Sequence, residues 1–341
     1  MKILLTSAGR RGYLVRYFKE AIPNGEIHVA NSSEYSAAIQ FADRFVVAPL
    51  IHDESYIPFL LSYCLEQEIT AIIPLFDIDL PILSSNKKQF EQIGVTVIVS
   101  DEKVIDVCND KWETYHFLQR NGFKHPHTFL SVSSALNAID AGKISFPLVV
   151  KPRWGMGSIL IFEAEDRMEL EIFYNKIKRE IMKTYLIYDS MKNRNESVII
   201  QEKVYGQEYG LDIINNLDGN YETTIVKKKI AMRAGETDYA VTVMDEELVQ
   251  MGEHLSRKLG HIGNLDVDIF HCKNGDAYIL EMNARFGGGY PFSHLAGANL
   301  PKAMVAWLQG DRVSKNELLV TPGVVGYKDI NIIARTKVLM T

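Results

Sequence analysis

The chain has 341 residues, too many for one compact core and enough for two or three domains. With 47% hydrophobic and 23% charged residues it has the make-up of a folded globular protein, which excludes disordered, collagenous and coiled-coil classes. Its 37 Lys and Arg against 43 Asp and Glu give a net charge of −6, so neither nucleic acid nor an anionic membrane is expected as a partner. A small anionic ligand stays open, because a few local cations suffice for one. Cys64, Cys108 and Cys272 are odd in number and far apart, which builds no disulfide framework or C-x-x-C metal pattern and points to a reducing compartment. The apolar run Ile3-Leu4-Leu5 is too short for a signal peptide, and no run approaches the roughly 18 residues of a membrane span, so a cytoplasmic location is expected.

Short apolar runs predict strands over 2–6, 27–30, 45–48, 70–74 and 95–99. Helical spacing of apolar residues predicts helices over 13–21, 56–66 and 80–93. Such alternation implies a parallel sheet covered on both faces, with ligands outside the carboxyl ends of the strands. Those ends are residues 7–12, 31–33 and 76–79, which makes Arg10, Arg11, Asp77 and Asp79 candidates for substrate contact. Only Gly9-x-x-Gly12 follows the first strand, so the G-x-G-x-x-G fingerprint of a dehydrogenase is missing. Asp110-x-x-Glu113 reads as a capping box for a helix that ends near Asn121-Gly122. Hairpins and longer helices replace the alternation after Pro147, which sets a domain boundary near 100–110. A charged helical stretch covers 165–195, a helix runs from Leu300 to Gly310, and the last thirty residues carry no motif.

The most informative segment is residues 264–285. Strand-like runs flank Asn274-Gly275, a strong hairpin signal. A two-residue loop there pairs residues whose numbers sum to about 549. Asp268 then faces Glu281, Asp266 faces Asn283, and Arg285 extends the same face. Val267, Ile269, Leu280 and Met282 form the buried face. Directly opposed carboxylates repel one another unless a cation lies between them. Two carboxylates and an amide oxygen suit Mg²⁺ better than zinc, and Arg285 is spaced to reach a phosphate beside it.

Residues 148–161 read as strand, small-residue loop, strand. Gly155 and Gly157 let backbone N–H groups approach phosphates, with Lys151 on the incoming strand. The loop opens a strand, unlike a Walker loop, and follows its lysine, unlike a kinase glycine loop. Further on, Glu202 and Glu208 flank Gly206 at a strand end, where carboxylates could accept from an adenine amine or ribose hydroxyls.

In order, Lys111, Lys151, Gly155-Met156-Gly157-Ser158, Glu202, Glu208, Asp268, Glu281-x-Asn283 and Arg285 resemble the ATP-grasp superfamily, in particular the units of the carbamoyl-phosphate synthase large subunit. The resemblance covers about residues 1–312. It implies an α/β fold, α+β in its second part. A pre-ATP-grasp parallel-sheet domain (1–108) precedes a two-subdomain ATP-grasp unit (109–312, divided near 205), followed by a C-terminal segment (313–341).

The resemblance also implies roles. Lys111 and Lys151 contact ATP, and the Gly155–Ser158 loop closes over its phosphates. Glu202, Lys203 and Val204 form the adenine hinge, and Glu208 binds the ribose. Asp268, Glu281 and Asn283 hold Mg²⁺, with Mn²⁺ an acceptable substitute, and Arg285 steadies the transferred phosphoryl group. Lys229 and Arg233 fall near phosphate- or substrate-facing positions. Gly288 and His294 line a substrate pocket after Arg285.

The resulting expectation is an ATP-dependent ligase that joins a small carboxylate to an amine through an acyl phosphate, with a homodimer compatible. Two alternatives stay open: phosphorylation of bicarbonate, carbamate or another small acid without amide formation, and a nucleotide-binding regulatory protein without catalysis.

Overall fold

The computed structural model describes residues 1–334. Its first sheet holds five parallel strands: β1 (Lys2–Thr6), β2 (Glu26–Asn31), β3 (Arg44–Val47), β4 (Ala71–Pro74) and β5 (Thr96–Val97). Their order is β3-β2-β1-β4-β5. Side chains alternate along β1. Leu4 packs with Leu60 of α2 (Tyr56–Gln67) and Leu83 of α3 (Asp79–Gln92), whereas Ile3 and Leu5 pack with Leu14 and Phe18 of α1 (Gly12–Ala21). The expected strand over 95–99 keeps only two paired residues at the sheet edge. The chain leaves β1 toward β2 and β3 on one side and returns to β4 on the other. The crevice between the loops after β1 and β4 is therefore the natural binding edge.

Helix α4 (Glu102–Asn109) leads into α5 (Lys111–Arg120). A four-stranded antiparallel sheet follows, in the order β6-β9-β7-β8, from β6 (Thr128–Phe129), β7 (Leu148–Pro152), β8 (Phe162–Ala164) and β9 (Val198–Glu202). Ala135 and Ala138 of α6 (Val132–Asp140) and Leu170 and Ile177 of α7 (Arg167–Glu180) cover its apolar face. The short α8 (Ile187–Ser190) closes this part.

The largest sheet is antiparallel and six-stranded: β10 (Gln207–Asn215), β11 (Tyr221–Arg233), β12 (Glu236–Val243), β13 (Gly263–His271), β14 (Ala277–Asn283) and β15 (Val325–Tyr327), in the order β14-β13-β10-β11-β12-β15. Leu248 and Leu255 of α9 (Glu246–Leu259) lie on one face with Leu211, Val226 and Val267. Tyr290 of α10 (Tyr290–Leu295) and Met304 of α11 (Leu300–Leu308) share a core with Ile3 and Phe18 of the first sheet layer. The C-terminal segment carries no motif, yet it adds β15 as a strand against β12 and buries Leu318 in the core with Leu300 and Met304. Among the described residues, no helix is long and apolar enough to cross a membrane.

Candidate active site

Hairpin β13–β14 brings the expected carboxylates together by a different route. Asp266 pairs with Asn283 and Asp268 with Glu281, as the sequence predicts. The loop is one residue longer than expected, because Cys272 N–H donates to the Asp276 carbonyl and leaves Lys273, Asn274 and Gly275 as the turn. Gly275 has φ of 88°, which a three-residue loop asks of its last residue. The resulting slip is cancelled by a bulge at Leu280, since Ile269 pairs with Ile279 and Asp268 with Glu281. Ile279 therefore replaces Leu280 in the buried layer.

These residues line one cavity of about 550 Å³. Seven cationic side chains (Arg10, Arg11, Lys111, Lys151, Lys227, Lys229, Arg285) and five carboxylates (Glu208, Glu236, Asp266, Asp268, Glu281) face it. The acidic chain thus concentrates positive charge at this one cleft.

Lys111 starts α5, and its place is fixed by its neighbour. The Asp110 carboxylate accepts from the Trp112 N–H and from Arg153 Nε and Nη2, both at 2.7 Å, which clamps α5 to the end of β7. Lys111 Nζ donates to the Gly155 carbonyl and lies 3.3 Å from Glu281. Lys151, on β7, is buried, and that burial, with the nearby Lys111 charge, pulls its pKa down to about 8. Beyond it, Gly155, Gly157 and Ser158 all take positive φ, which bends their loop over the cavity. The β11–β12 turn meets this loop closely: a Cβ on Gly235 would come 2.7 Å from Ser158 Oγ.

Lys229 Nζ bridges Glu208 at 2.7 Å and Asp268 at 2.6 Å. Burial pushes the Asp268 carboxyl up, with Asp266 and Glu281 adding to the shift against Lys229. Burial also opposes ionisation of Glu281, but Lys111 and Lys151 outweigh it and hold that carboxyl below its ordinary value. Two lysine ammoniums thus stand where a cation satisfies these oxygens. Hard carboxylate and amide donors fit Mg²⁺, so the residues present suit the metal that the sequence implies.

Arg285 lies past β14, with Nε 2.9 Å from Asp77 and Nη1 3.1 Å from Asp266. Asp77 comes from the loop after β4, so the guanidinium joins the first sheet to the largest. Arg11 does the same, donating to the Leu75 and Phe286 carbonyls. Gly288 lines the cavity near Glu236.

Other expected residues lie elsewhere. Glu202, Lys203 and Val204 end β9 and begin the connection to β10, outside the cavity lining; Glu202 accepts from the His127 N–H, and Lys203 pairs with Glu163. Arg233, at the tip of β11, pairs with Asp238 at 2.6 Å. Asp77 reaches the site through Arg285. Asp79 is fully buried at the start of α3, taking a 3.0 Å bond from Ser7 Oγ. His294 does not point into the pocket: its ring stacks on Tyr17 at 3.6 Å between centroids, because α10 turns that face toward α1.

Lys227 and Glu236 also line the cavity and were not singled out from the sequence. For Lys227 the signal existed, since strand alternation puts Lys227 and Lys229 on one face and Lys228 on the other. Lys227 is buried against Asp212, which also accepts from Ser293 and Asn264.

A family model described as an ATP-grasp domain matches residues 108–289, more than half of the chain, and one described as the PylC-like N-terminal domain matches residues 3–98. The arginine-specific carbamoyl phosphate synthase large chain of Bacillus subtilis is 20% identical over 264 residues, 75% of this chain and 23% of that one. This chain spans about a fifth of the length of the large chains it matches. The alpha-aminoadipate–LysW ligase LysX of Saccharolobus solfataricus is 26% identical over 200 residues, covering 57% of this chain and 67% of that one. Among solved structures, biotin carboxylase from Campylobacter jejuni superposes with a TM-score of 0.71 at 19% identity, over 94% of this chain and 73% of that one.

Proposed function

The chain belongs to the ATP-grasp family, and from that premise we propose that it is an ATP- and Mg²⁺-dependent ligase joining a small carboxylate to an amine. The observation that carries this reading is the single cleft in which Lys111, Lys151, the glycine loop and Arg285 surround the Asp268–Glu281–Asn283 face. A carboxylate oxygen of the substrate attacks the γ-phosphorus of ATP, ADP departs, and the amine then displaces phosphate from the acyl phosphate, losing a proton. Lys151 and Lys111 offset the charge of the phosphates. Arg285, held by Asp77 and Asp266, presents its remaining N–H groups to the transferred phosphoryl oxygens. Lys229, which bridges Glu208 and Asp268, neutralises both carboxylates in the unliganded chain. Asp268, Glu281 and Asn283 would hold Mg²⁺, which supplies charge neutralisation at phosphate oxygens. The Gly155–Ser158 loop and the Gly235 turn exclude water that would hydrolyse the acyl phosphate.

Glu208 at the ribose, and the 202–204 hinge at the adenine, belong to the same proposal, as do replacement of Mg²⁺ by Mn²⁺, a homodimer and a cytoplasmic location. The test is an ADP-release screen of paired acids and amines with Mg-ATP. ADP and phosphate are expected, and AMP with pyrophosphate overturns the mechanism. Asp268→Ala and Glu281→Ala are each expected to lower release about a hundredfold or more. ADP release with bicarbonate alone, at a rate unaffected by any amine, would favour phosphorylation without ligation.

A further inference from the structure

The end of the cavity nearest the first sheet is charged in a different way from the phosphate end. Glu236, the first residue of β12, lines the cavity there, and a Cβ on Gly288 would lie 3.6 Å from it. Its partner comes from the C-terminal segment: Lys328 Nζ lies 3.0 Å from Glu236 Oε2. Partial desolvation by the cavity wall opposes ionisation of Glu236, but Lys328 outweighs it, Arg11 and Arg10 add to the effect, and the carboxyl stays below its ordinary value. Arg10 lines the same end and makes no hydrogen bond or ion pair among the described residues. A cavity-facing carboxylate held by a removable ammonium, beside an unpaired guanidinium, is a template for a molecule bearing both charges.

Resting on the ligase reading, we propose that the acid this protein activates carries an ammonium group, that Glu236 anchors it, and that Lys328 keeps its place until substrate binds. The exchange replaces one ammonium with another, so Glu236 never loses its counter-charge. The Glu236 side chain is 58% exposed, and an ion pair so open to solvent is weak enough to be displaced. The backbone need not follow. Lys328 N–H donates to the Asp238 carbonyl at 2.8 Å, and Tyr239 and Tyr327 stack at 4.4 Å between ring centroids, so β15 stays paired while only the lysine side chain swings away. An acid without an ammonium leaves Lys328 in possession of Glu236 and gains nothing there. Arg10 faces the anionic part of the same molecule, which disfavours a simple cation at Glu236.

Thermal-shift titrations in Mg-ATP test this with small acids in matched pairs, with and without an ammonium group. The proteins are the wild type, Glu236→Gln and Lys328→Met, and stabilisation by Mg-ATP alone reports that each is folded. The wild type is expected to bind the ammonium-bearing member about tenfold tighter or more, the size of one charge-assisted bond. Glu236→Gln loses that preference, and Lys328→Met keeps it and binds the favoured acid more tightly, its resident competitor gone. Equal binding of paired acids by the wild type, or a preference that survives in Glu236→Gln, overturns the inference. Failure of the ligase reading would look different: preferential binding intact, with no ADP released in the presence of any amine.

Discussion

Lys151 is a cavity-lining residue whose chemistry is strongly altered by its surroundings. It sits on β7 beneath the glycine loop, and burial together with Lys111 brings its pKa to about 8 from an ordinary value of 10.5. In the unliganded chain the unfolded state therefore binds more protons between those values, so this group makes stability rise as pH increases from about 8 to 10.5. Phosphates have the opposite preference, because they favour the charged ammonium. ATP binding above pH 8 should take up a proton at Lys151, and affinity should fall by up to about tenfold per pH unit there. Calorimetry at pH 8.5 to 9 in two buffers of different ionisation enthalpy measures that uptake directly. A value approaching one proton is expected for the wild type and a much smaller one for Lys151→Arg, whose guanidinium stays charged throughout. Equal uptake in both proteins would remove Lys151 from the phosphate site.

Among the elements, the β13–β14 hairpin and the turn after it decide whether the carboxylates and Arg285 share a site. Gly287 is packed so closely that a Cβ would fall 2.1 Å from the Asp266 carboxylate, whereas at Gly288 the nearest atom would be 3.6 Å away. Gly287→Ala must push Asp266 or its own backbone aside, and Asp266 is one of the two acids that hold Arg285. The substitution should cost about 1–3 kcal/mol and lower turnover by tenfold or more, while Gly288→Ala should leave the melting temperature nearly unchanged. Melting curves and ADP release on the two variants check this. A Gly287→Ala protein with normal stability and turnover would mean that the segment yields freely. The same hairpin shows what a sequence can disclose. Strand alternation is a local rule, so the shared face of Asp266, Asp268, Glu281 and Asn283 was legible. The extra loop residue and the Leu280 bulge were not, because each is a one-residue departure that the other hides. His294 and Arg233 were misplaced for a related reason. Their side-chain directions depend on how α10 packs on α1 and on the Asp238 partner across the β11–β12 turn, both tertiary choices with no local signature.

Across the whole molecule, the first sheet and the largest sheet are fastened together at buried polar contacts. Arg285–Asp77 and Arg11 with the Phe286 carbonyl do so beside the cavity, and the turn around His261 does so away from it. There the Ile262 N–H donates to Ser100 Oγ at 2.8 Å, and Asn215 Nδ2 donates to the His261 carbonyl at 2.9 Å. His261 is itself fully buried, with Nε2 3.0 Å from the Ile213 carbonyl. A carbonyl only accepts, so Nε2 carries the proton and Nδ1 is bare, with no partner among the described residues. Protonating Nδ1 would create a buried, unpaired charge, and burial accordingly drives the His261 pKa down to about 4. Between that value and the ordinary 6.5 the unfolded state binds the extra proton, so His261 withdraws stability as pH falls through this window, up to roughly 3 kcal/mol in all. Asp79 acts in the opposite sense. Burial raises its carboxyl to about 6, so its contribution is largest in acid and is lost as pH rises through that value. The two slopes overlap, and the absolute pH profile of the wild type therefore identifies neither group. The difference between the wild type and His261→Gln does, because the amide can still donate to Ile213 and cannot titrate. Urea unfolding at pH 7, 5.5 and 4.5 should show the variant gaining on the wild type as pH falls. Since the turn fastens two sheets, that gain should appear as a shift of one cooperative transition; a constant difference at all three values would show that His261 takes up its proton in the folded chain as readily as in the unfolded one.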